Sequence, residues 1–462
     1  MNKPSYQLTQ YPIGTIREIW TISWPLILSL FSMSLMLFTD RLLLSRYSLV
    51  DLNSAASAGT ASWMFLVLPI SIVAISEVFV GRYHGEERHS ELGKPVWQMI
   101  WFSVMMIPLF WMIALVLPFF LFYDSPNIIG ETTYFRTILL FSPSIFINIA
   151  VAGFFIGSGR VKVVTICAVV ANIMNISLDL LLINGFWGFP ELGIFGAALG
   201  TGIAETFQCL CLFFFFLEKR HRIKFGTTQW TFDKSLFLES LRIGFPAGLG
   251  VAVEVTAHFI FFKIIGYSGQ ENLTVAALVQ SLYFLVFFLF EGLSKGVTTV
   301  CANLLGGKQV HYIKKVLFSA GVIQTLFFII VSAMFLIYSE SIIDSFLNQN
   351  DETILASPKF LKLIKIGIFW MCLFFLFDGY TRILAGQLTA SGDTRFLLYA
   401  GTVLNISAYI LPTVLLIFVA GGGADDAWMI LFCYSVTTFI VYYLRYASKR
   451  WVTVSDTMSS RL

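Results

Sequence analysis

Residues 218–235 read EKRHRIKFGTTQWTFDKS, the longest polar break in a chain that is otherwise a succession of apolar runs. Outward from this break, the two flanks say the same thing twice. SWPLILSLFSMSLM (23–36) lies over GFPAGLGVAVEVTA (244–257), with Pro25 over Pro246. FVGRYHGEERHSELGK (79–94) lies over VCANLLGGKQVHYIKK (300–315), with Gly85 over Gly306, again at an offset of 221. GSGRVKVVTICAVVANIMNISLDLLLI (157–183) lies over TASGDTRFLLYAGTVLNISAYILPTVLLI (389–417), pairing Gly159 with Gly392 and Asn172 with Asn405 at an offset of 233. The added residues fit an insertion in the loop before span ten. The break is thus a linker, 218–235, between an N-terminal lobe, 1–217, and a C-terminal lobe, 236–462.

Composition decides the solvent of these lobes. The chain is 57% hydrophobic and 12% charged, about half the charged share of a soluble domain. A helix crosses the hydrocarbon with roughly 20 apolar residues, and twelve runs qualify: 17–46, 55–83, 93–123, 133–157, 162–184 and 192–217, then 236–266, 273–305, 310–338, 360–390, 394–420 and 426–446. The N-terminus lacks the short apolar core and cleavage site of a secretory signal and is expected to be retained. The six cysteines all fall in apolar runs without metal-ligand spacing and read as small buried hydrophobes.

Basic residues concentrate in alternate breaks: Arg82, Arg88 and Lys94, Arg160 and Lys162, five in the linker, Lys308, Lys314 and Lys315, and Arg395. The other breaks are acidic or basic-poor, as in YDSPNIIGE, SESIIDSFLNQNDE and GGGADD; Lys359, Lys362 and Lys365 run against the trend. The positive-inside rule places both termini in the cytoplasm of a cell (inner) membrane protein. An even number of spans per half makes the repeats parallel, with a cavity between them that opens to alternate sides as one half rocks on the other. The fold class expected is all-α: about twelve transmembrane helices in two parallel six-helix repeats, forming a two-lobed, V-shaped bundle.

WPLILSLFSMSLMLFTDRLLLSRYS, ANIMNISLDLLLINGFWGFPELGIFGAALGT, RIGFPAGLGVAVEV and DGYTRILAGQLTASGDTR, in this order and spacing, resemble the multidrug and toxic compound extrusion family over nearly the whole chain. The resemblance implies export of amphipathic, often cationic organic compounds, driven by inward movement of protons or sodium ions. The wider superfamily also holds flippases for lipid-linked saccharide precursors, and fold alone does not separate the two.

Ionisable side chains inside spans are costly and therefore candidates for function. Asp40 lies well inside span one, and Asn172, Asn175 and Asp179 fall at i, i+3 and i+7 of span five, on one helical face. Carboxylate and amide oxygens suit a proton or a hard cation such as sodium. The resemblance reaches the same places: Asp40, Asn175 and Asp179 occupy its acidic and amide positions, and Thr201 matches a threonine of span six. Arg41, next to Asp40, is a departure, since a long Arg can neutralise the site. Asn172 and Asn175 also fit plain interhelical hydrogen bonding. Pro25 is a candidate kink in the same span.

In the second half each acid has a basic partner four residues on: Glu254 with His258, Glu291 with Lys295, Asp378 with Arg382. Glu254 and Asp378 match acidic positions that bind cation or substrate in some family members, and Lys295 is a candidate for the same second-lobe site. A cavity-facing Lys295, with Arg41, favours anionic or lipid-linked substrates. Glu77 and Lys263 read as interfacial or snorkelling.

No HExxH, GxSxG or Walker A glycine loop is present, which argues against a membrane enzyme or an ATPase. A net charge of +3 does not suggest nucleic acid. The expectation is a non-enzymatic, cofactor-free monomer whose partners are a small-molecule substrate and the bilayer. No structural metal is expected, only transient sodium at Asp40, Asn175 and Asp179.

Overall fold

The computed structural model describes residues 7–339 and 358–461, and every described element is helical. The acidic stretch after Ser339 and the insertion expected before span ten lie outside the described residues. Among the described residues, ten helices are long and apolar enough to cross a membrane, and Ile128–Leu140 with Ser142–Gly157, bent by 40°, makes an eleventh. The bend falls at the Phe141-Ser142-Pro143 junction, where Pro143 removes a backbone donor. Span ten is the helix Pro358–Ala390, whose apolar middle carries Asp378 and Arg382. The remaining spans are one (Ile16–Tyr47), two (Leu49–Gly85), three (His89–Leu121), five (Val161–Asn184), six (Gly193–Phe216), seven (Lys234–Tyr267), eight (ending at Gly306), nine (Val310–Ile337), eleven (Thr394–Ala420) and twelve (ending at Ala447). A short helix, Lys219–Phe225, occupies the linker, and Arg450–Ser459 follows span twelve. Pro25 sits inside the unbroken first helix, its carbonyl accepting from Thr165 Oγ1 at 2.7 Å.

The internal alignment has a direct counterpart in the packing. Where spans two and eight end, a Cβ on Gly85 would run into the Asn303 carbonyl oxygen, and one on Gly306 into the Arg82 carbonyl oxygen. These two contacts exchange under the 221-residue offset, as does the approach of Gly81 to Ala302, where a Cβ would sit 3.1 Å from its neighbour. Residue i on one side meets j′ on the other while j meets i′, which is the signature of a two-fold contact. The same holds further along: Ile27 of span one packs on Gly292 of span eight, and their offset partners Gly248 and Ser71 pack on each other. Small residues let these backbones approach where the apolar environment supplies no hydrophobic drive between helices. The halves therefore meet tightly at the end that bears both termini.

Span eleven departs from its counterpart. It turns π-helical over Asn405–Ile410 and Leu416–Ala420 on either side of Pro412, a local insertion that re-aims side chains.

Candidate cation site

Span five is a regular helix stopped by Gly185, which takes the left-handed conformation (φ 69°) that favours glycine. It presents Asn175 and Asp179, both fully buried, toward Asp40 of span one, which is 6% exposed. Asn175 satisfies all its neighbours with its amide nitrogen facing the carboxyls. It then donates to Asp40 Oδ1 over 3.0 Å and to Asp179 Oδ2 over 3.3 Å, and its oxygen accepts from the Thr201 backbone N–H over 3.1 Å. The Asp40 and Asp179 side chains are also within hydrogen-bond reach of each other. Among the described residues Asp179 Oδ1 has no hydrogen-bond partner; it rests on Gly200, where a Cβ would run into it. The absence of a side chain at 200 is what leaves room for the second carboxylate oxygen.

Asp40, Asn175, Asp179 and Thr201 thus come together as the sequence suggested, whereas Asn172 does not join them. It donates to Ser32 Oγ at 2.6 Å and ties span five to span one. Arg41 lies on the exposed face of span one, and among the described residues no Lys or Arg forms an ion pair with Asp40 or Asp179. Two residues escaped the sequence reading. Tyr134 of the bent span four packs against the cluster of Leu44, Ala55, Ile183, Ile194 and Ala197 beside the two carboxyls. Glu205, one turn after Thr201, accepts from Asn148 Nδ2 at 3.3 Å; as an acid inside a span it met the same criterion that singled out Asp179. Tyr134 carried no such signal among the chain's 17 tyrosines.

In the second half a single guanidinium gathers the acids. Arg382 Nε donates to Asp378 Oδ2 at 2.8 Å, Nη2 to Glu254 Oε1 at 3.3 Å and to the Tyr283 hydroxyl at 3.1 Å, and Nη1 lies 3.5 Å from Glu291 Oε2. The Phe287 ring covers the guanidinium carbon at 4.7 Å. Of the expected i+4 pairs only Asp378–Arg382 forms. His258 turns to the Glu254 main-chain carbonyl at 3.0 Å rather than to its carboxylate. Glu291 faces Arg382, while Lys295 lies beside Glu77 of the first half. The i+4 rule misses these because the cluster is made across three helices, whose rotation the spacing along one helix does not encode. Among the described residues Lys295 forms no ion pair with Glu254 or Asp378, whose shared cation is Arg382. Glu77 also corrects its reading: it is 7% exposed and accepts from Thr299 Oγ1 at 2.6 Å between the halves, so it is neither interfacial nor snorkelling. Lys263 remains exposed, its ammonium 5.7 Å from the Phe259 ring centre.

Comparison with known proteins bears on the chain as a whole. The MatE family model matches residues 25–181 and 246–415, two segments that begin at the prolines paired by the internal alignment. A "Probable multidrug resistance protein NorM" of Photorhabdus laumondii is 24% identical over 398 residues, covering 83% of this chain and 84% of its own. "Probable multidrug resistance protein YoeA" of Bacillus subtilis is 23% identical over 392 residues, covering 83% and 82%. Among solved structures, one described as "Crystal structure of MATE in the straight conformation" superposes with a TM-score of 0.87 at 15% identity, covering 99% of this chain and 100% of that one. An outward-facing multidrug resistance MATE family transporter of the MOP superfamily superposes with a TM-score of 0.86 at 15% identity, covering 98% and 99%. With the family model spanning most of both halves, this multi-pass membrane protein belongs to the MatE family, the multidrug and toxic compound extrusion transporters.

Proposed function

We propose that the protein is a secondary active antiporter that exports amphipathic, cationic organic compounds in exchange for protons or sodium ions. The observation that carries this reading is the buried Asp40–Asn175–Asp179 group, in which two carboxyls share one amide and, among the described residues, have no ion-pair partner and leave one oxygen without a hydrogen bond. Two carboxyls within hydrogen-bond reach hold a proton between them, and the same oxygens suit a hard monovalent cation. Loading the site removes negative charge from a low-dielectric packing contact between spans one and five. A bound ion can thereby favour one arrangement of those helices over another, as coupling requires.

The second half supports the cationic substrate class. Glu254, Glu291 and Asp378 outnumber Arg382, leaving an excess of negative charge beside the aromatic rings of Tyr283 and Phe287, surroundings an organic cation prefers. Arg41 and Lys295 are the bases that would favour a lipid-linked saccharide, and the three acids gathered in the second half make the exporter the preferred reading over the flippase. We place the chain in the cell membrane with both termini cytoplasmic, on the distribution of its Lys and Arg, acting as a single copy without a cofactor or enzymatic step.

The test is transport of a fluorescent organic cation in sealed vesicles under an imposed pH gradient and, separately, a sodium gradient, with Asp40→Asn as the control. Movement that depends on one gradient and is lost in the variant is the expected outcome and names the ion. Folded protein that moves nothing under either gradient would turn the assignment to lipid-linked substrates.

A further inference from the structure

Arg82, at the end of span two, is fully buried, yet among the described residues it forms no ion pair. Its guanidinium spends its donors on neutral oxygens of the second half. Nε and Nη2 donate to the Ala390 carbonyl at 3.2 and 2.9 Å, Nη2 to Ser455 Oγ at 3.0 Å, and Nη1 to the Ser455 carbonyl at 3.4 Å and Ser459 Oγ at 3.3 Å. Ala390 ends span ten, so the cation meets the negative pole of that helix, where the Gln387, Leu388 and Thr389 carbonyls are capped by the following turn and the Ala390 carbonyl is left to Arg82. Ser455 and Ser459 belong to the C-terminal helix Arg450–Ser459.

That helix is held by docking. It has ten residues, no side-chain cap, and a start at Lys449 in the left-handed region (φ 57°), too short to persist alone. Its buried face, Trp451, Ser455 and Met458, rests on the second half: Trp451 Nε1 donates to the Tyr446 carbonyl at 3.0 Å, the Met458 sulfur covers Gly392, and Arg461 lies 3.6 Å from Glu239. Arg82 is therefore a first-half side chain plugged into a socket that the second half and its docked helix build together. Beside it lie the Gly85–Gly306 crossing and the Asn303–His84 contact at 3.0 Å.

We propose that Arg82 and the C-terminal helix form a clasp that holds the halves shut at the end bearing both termini, and that opening there requires Arg82 to leave its socket. Arg82 is then a positioning residue of the transport cycle, whichever ion and substrate the protein uses. A fork with donors matched to four oxygens in fixed places gives an all-or-none release that a flexible ammonium does not reproduce.

The experiment follows amide hydrogen exchange by mass spectrometry on the full chain in lipid nanodiscs, comparing wild type with Arg82→Lys and with the double variant Ser455→Ala, Ser459→Ala. Both variants are expected to exchange roughly tenfold faster over 79–86 and 300–307, the loss of about one charge-assisted hydrogen bond, with 157–183 unchanged. Unchanged exchange over 300–307, or acceleration confined to 450–459, would mean that the helix is a passenger and would overturn the clasp. If Arg82→Lys does not fold, the serine double variant, which keeps the buried charge and both backbone acceptors, decides alone. The readout is independent of transport, so failure of the antiporter assignment would leave it interpretable.

Discussion

The two halves share a scaffold and differ in what they put at equivalent places. Asp40 has Phe261 as its counterpart at an offset of 221, and Asp179 has Pro412 at 233. Where the first half buries two carboxyls bridged by an amide, the second buries Phe261 against Tyr409, ring centres 4.9 Å apart, with His258 edge-on at 5.4 Å. Its acids sit elsewhere, around Arg382, and remain partly open: 39% of the Glu254 and 29% of the Glu291 side chain is accessible. The proposed ion coupling rests on the closed pair, which among the described residues has no Lys or Arg in an ion pair with it. The open cluster, by contrast, already pairs its acids with a guanidinium. Duplication conserved the backbone contacts and freed the polar groups to diverge.

This contrast can be broken most directly at the carboxyl pair. Asp179→Asn and Asp40→Asn should each reduce gradient-driven uptake in sealed vesicles to that of empty vesicles, while Asp378→Asn retains gradient dependence with weakened substrate binding. The reverse pattern would move ion coupling to the second half. Next in size is Arg382→Ala, which leaves three acids without their shared cation. The cost of breaking a fully buried pair, about 3–5 kcal/mol, falls to about 2 kcal/mol because Glu254 and Glu291 keep contact with solvent; thermal unfolding in detergent measures it. The exchange Asp378→Arg with Arg382→Asp should restore folding if that pair is a structural tie, and recovery of transport as well would remove any specific role for Asp378. Gly200→Ala crowds Asp179 Oδ1 and should cost about 1–3 kcal/mol, with a larger loss of transport than of stability, read by the same two assays. Least affected should be Asn172→Ala, which forfeits one interhelical hydrogen bond worth about 0.6 kcal/mol; transport within twofold of wild type would separate Asn172 from the ion site.

Much of this was legible in the chain itself. Apolar run lengths and the linker anticipated the helices, and the i, i+3, i+7 spacing in span five placed Asn175 and Asp179 on the face that meets Asp40. That same face carried Asn172 one turn too far along, where Ser32 rather than a carboxyl awaits it, because helical periodicity specifies direction but not what stands opposite. Span ten showed a similar limit. The i+4 spacing found Asp378 with Arg382 but could not show that Glu254 and Glu291 converge on the same guanidinium from two other helices. Glu77 was misjudged because nearness to a span end suggests access to water, and only the packing of span eight against it, through Thr299, removes that access.

The crossing of Gly85 and Gly306 has a thermodynamic corollary. Because each glycine faces the other helix's backbone at a point related to the first by the two-fold, an alanine at either one demands the same separation of the same two helices. Once one alanine has forced it, the second finds part of its space already made. The two substitutions should therefore be strongly non-additive, the pair costing less than the sum of the singles, so that two positions 221 residues apart in the chain behave energetically as a single site.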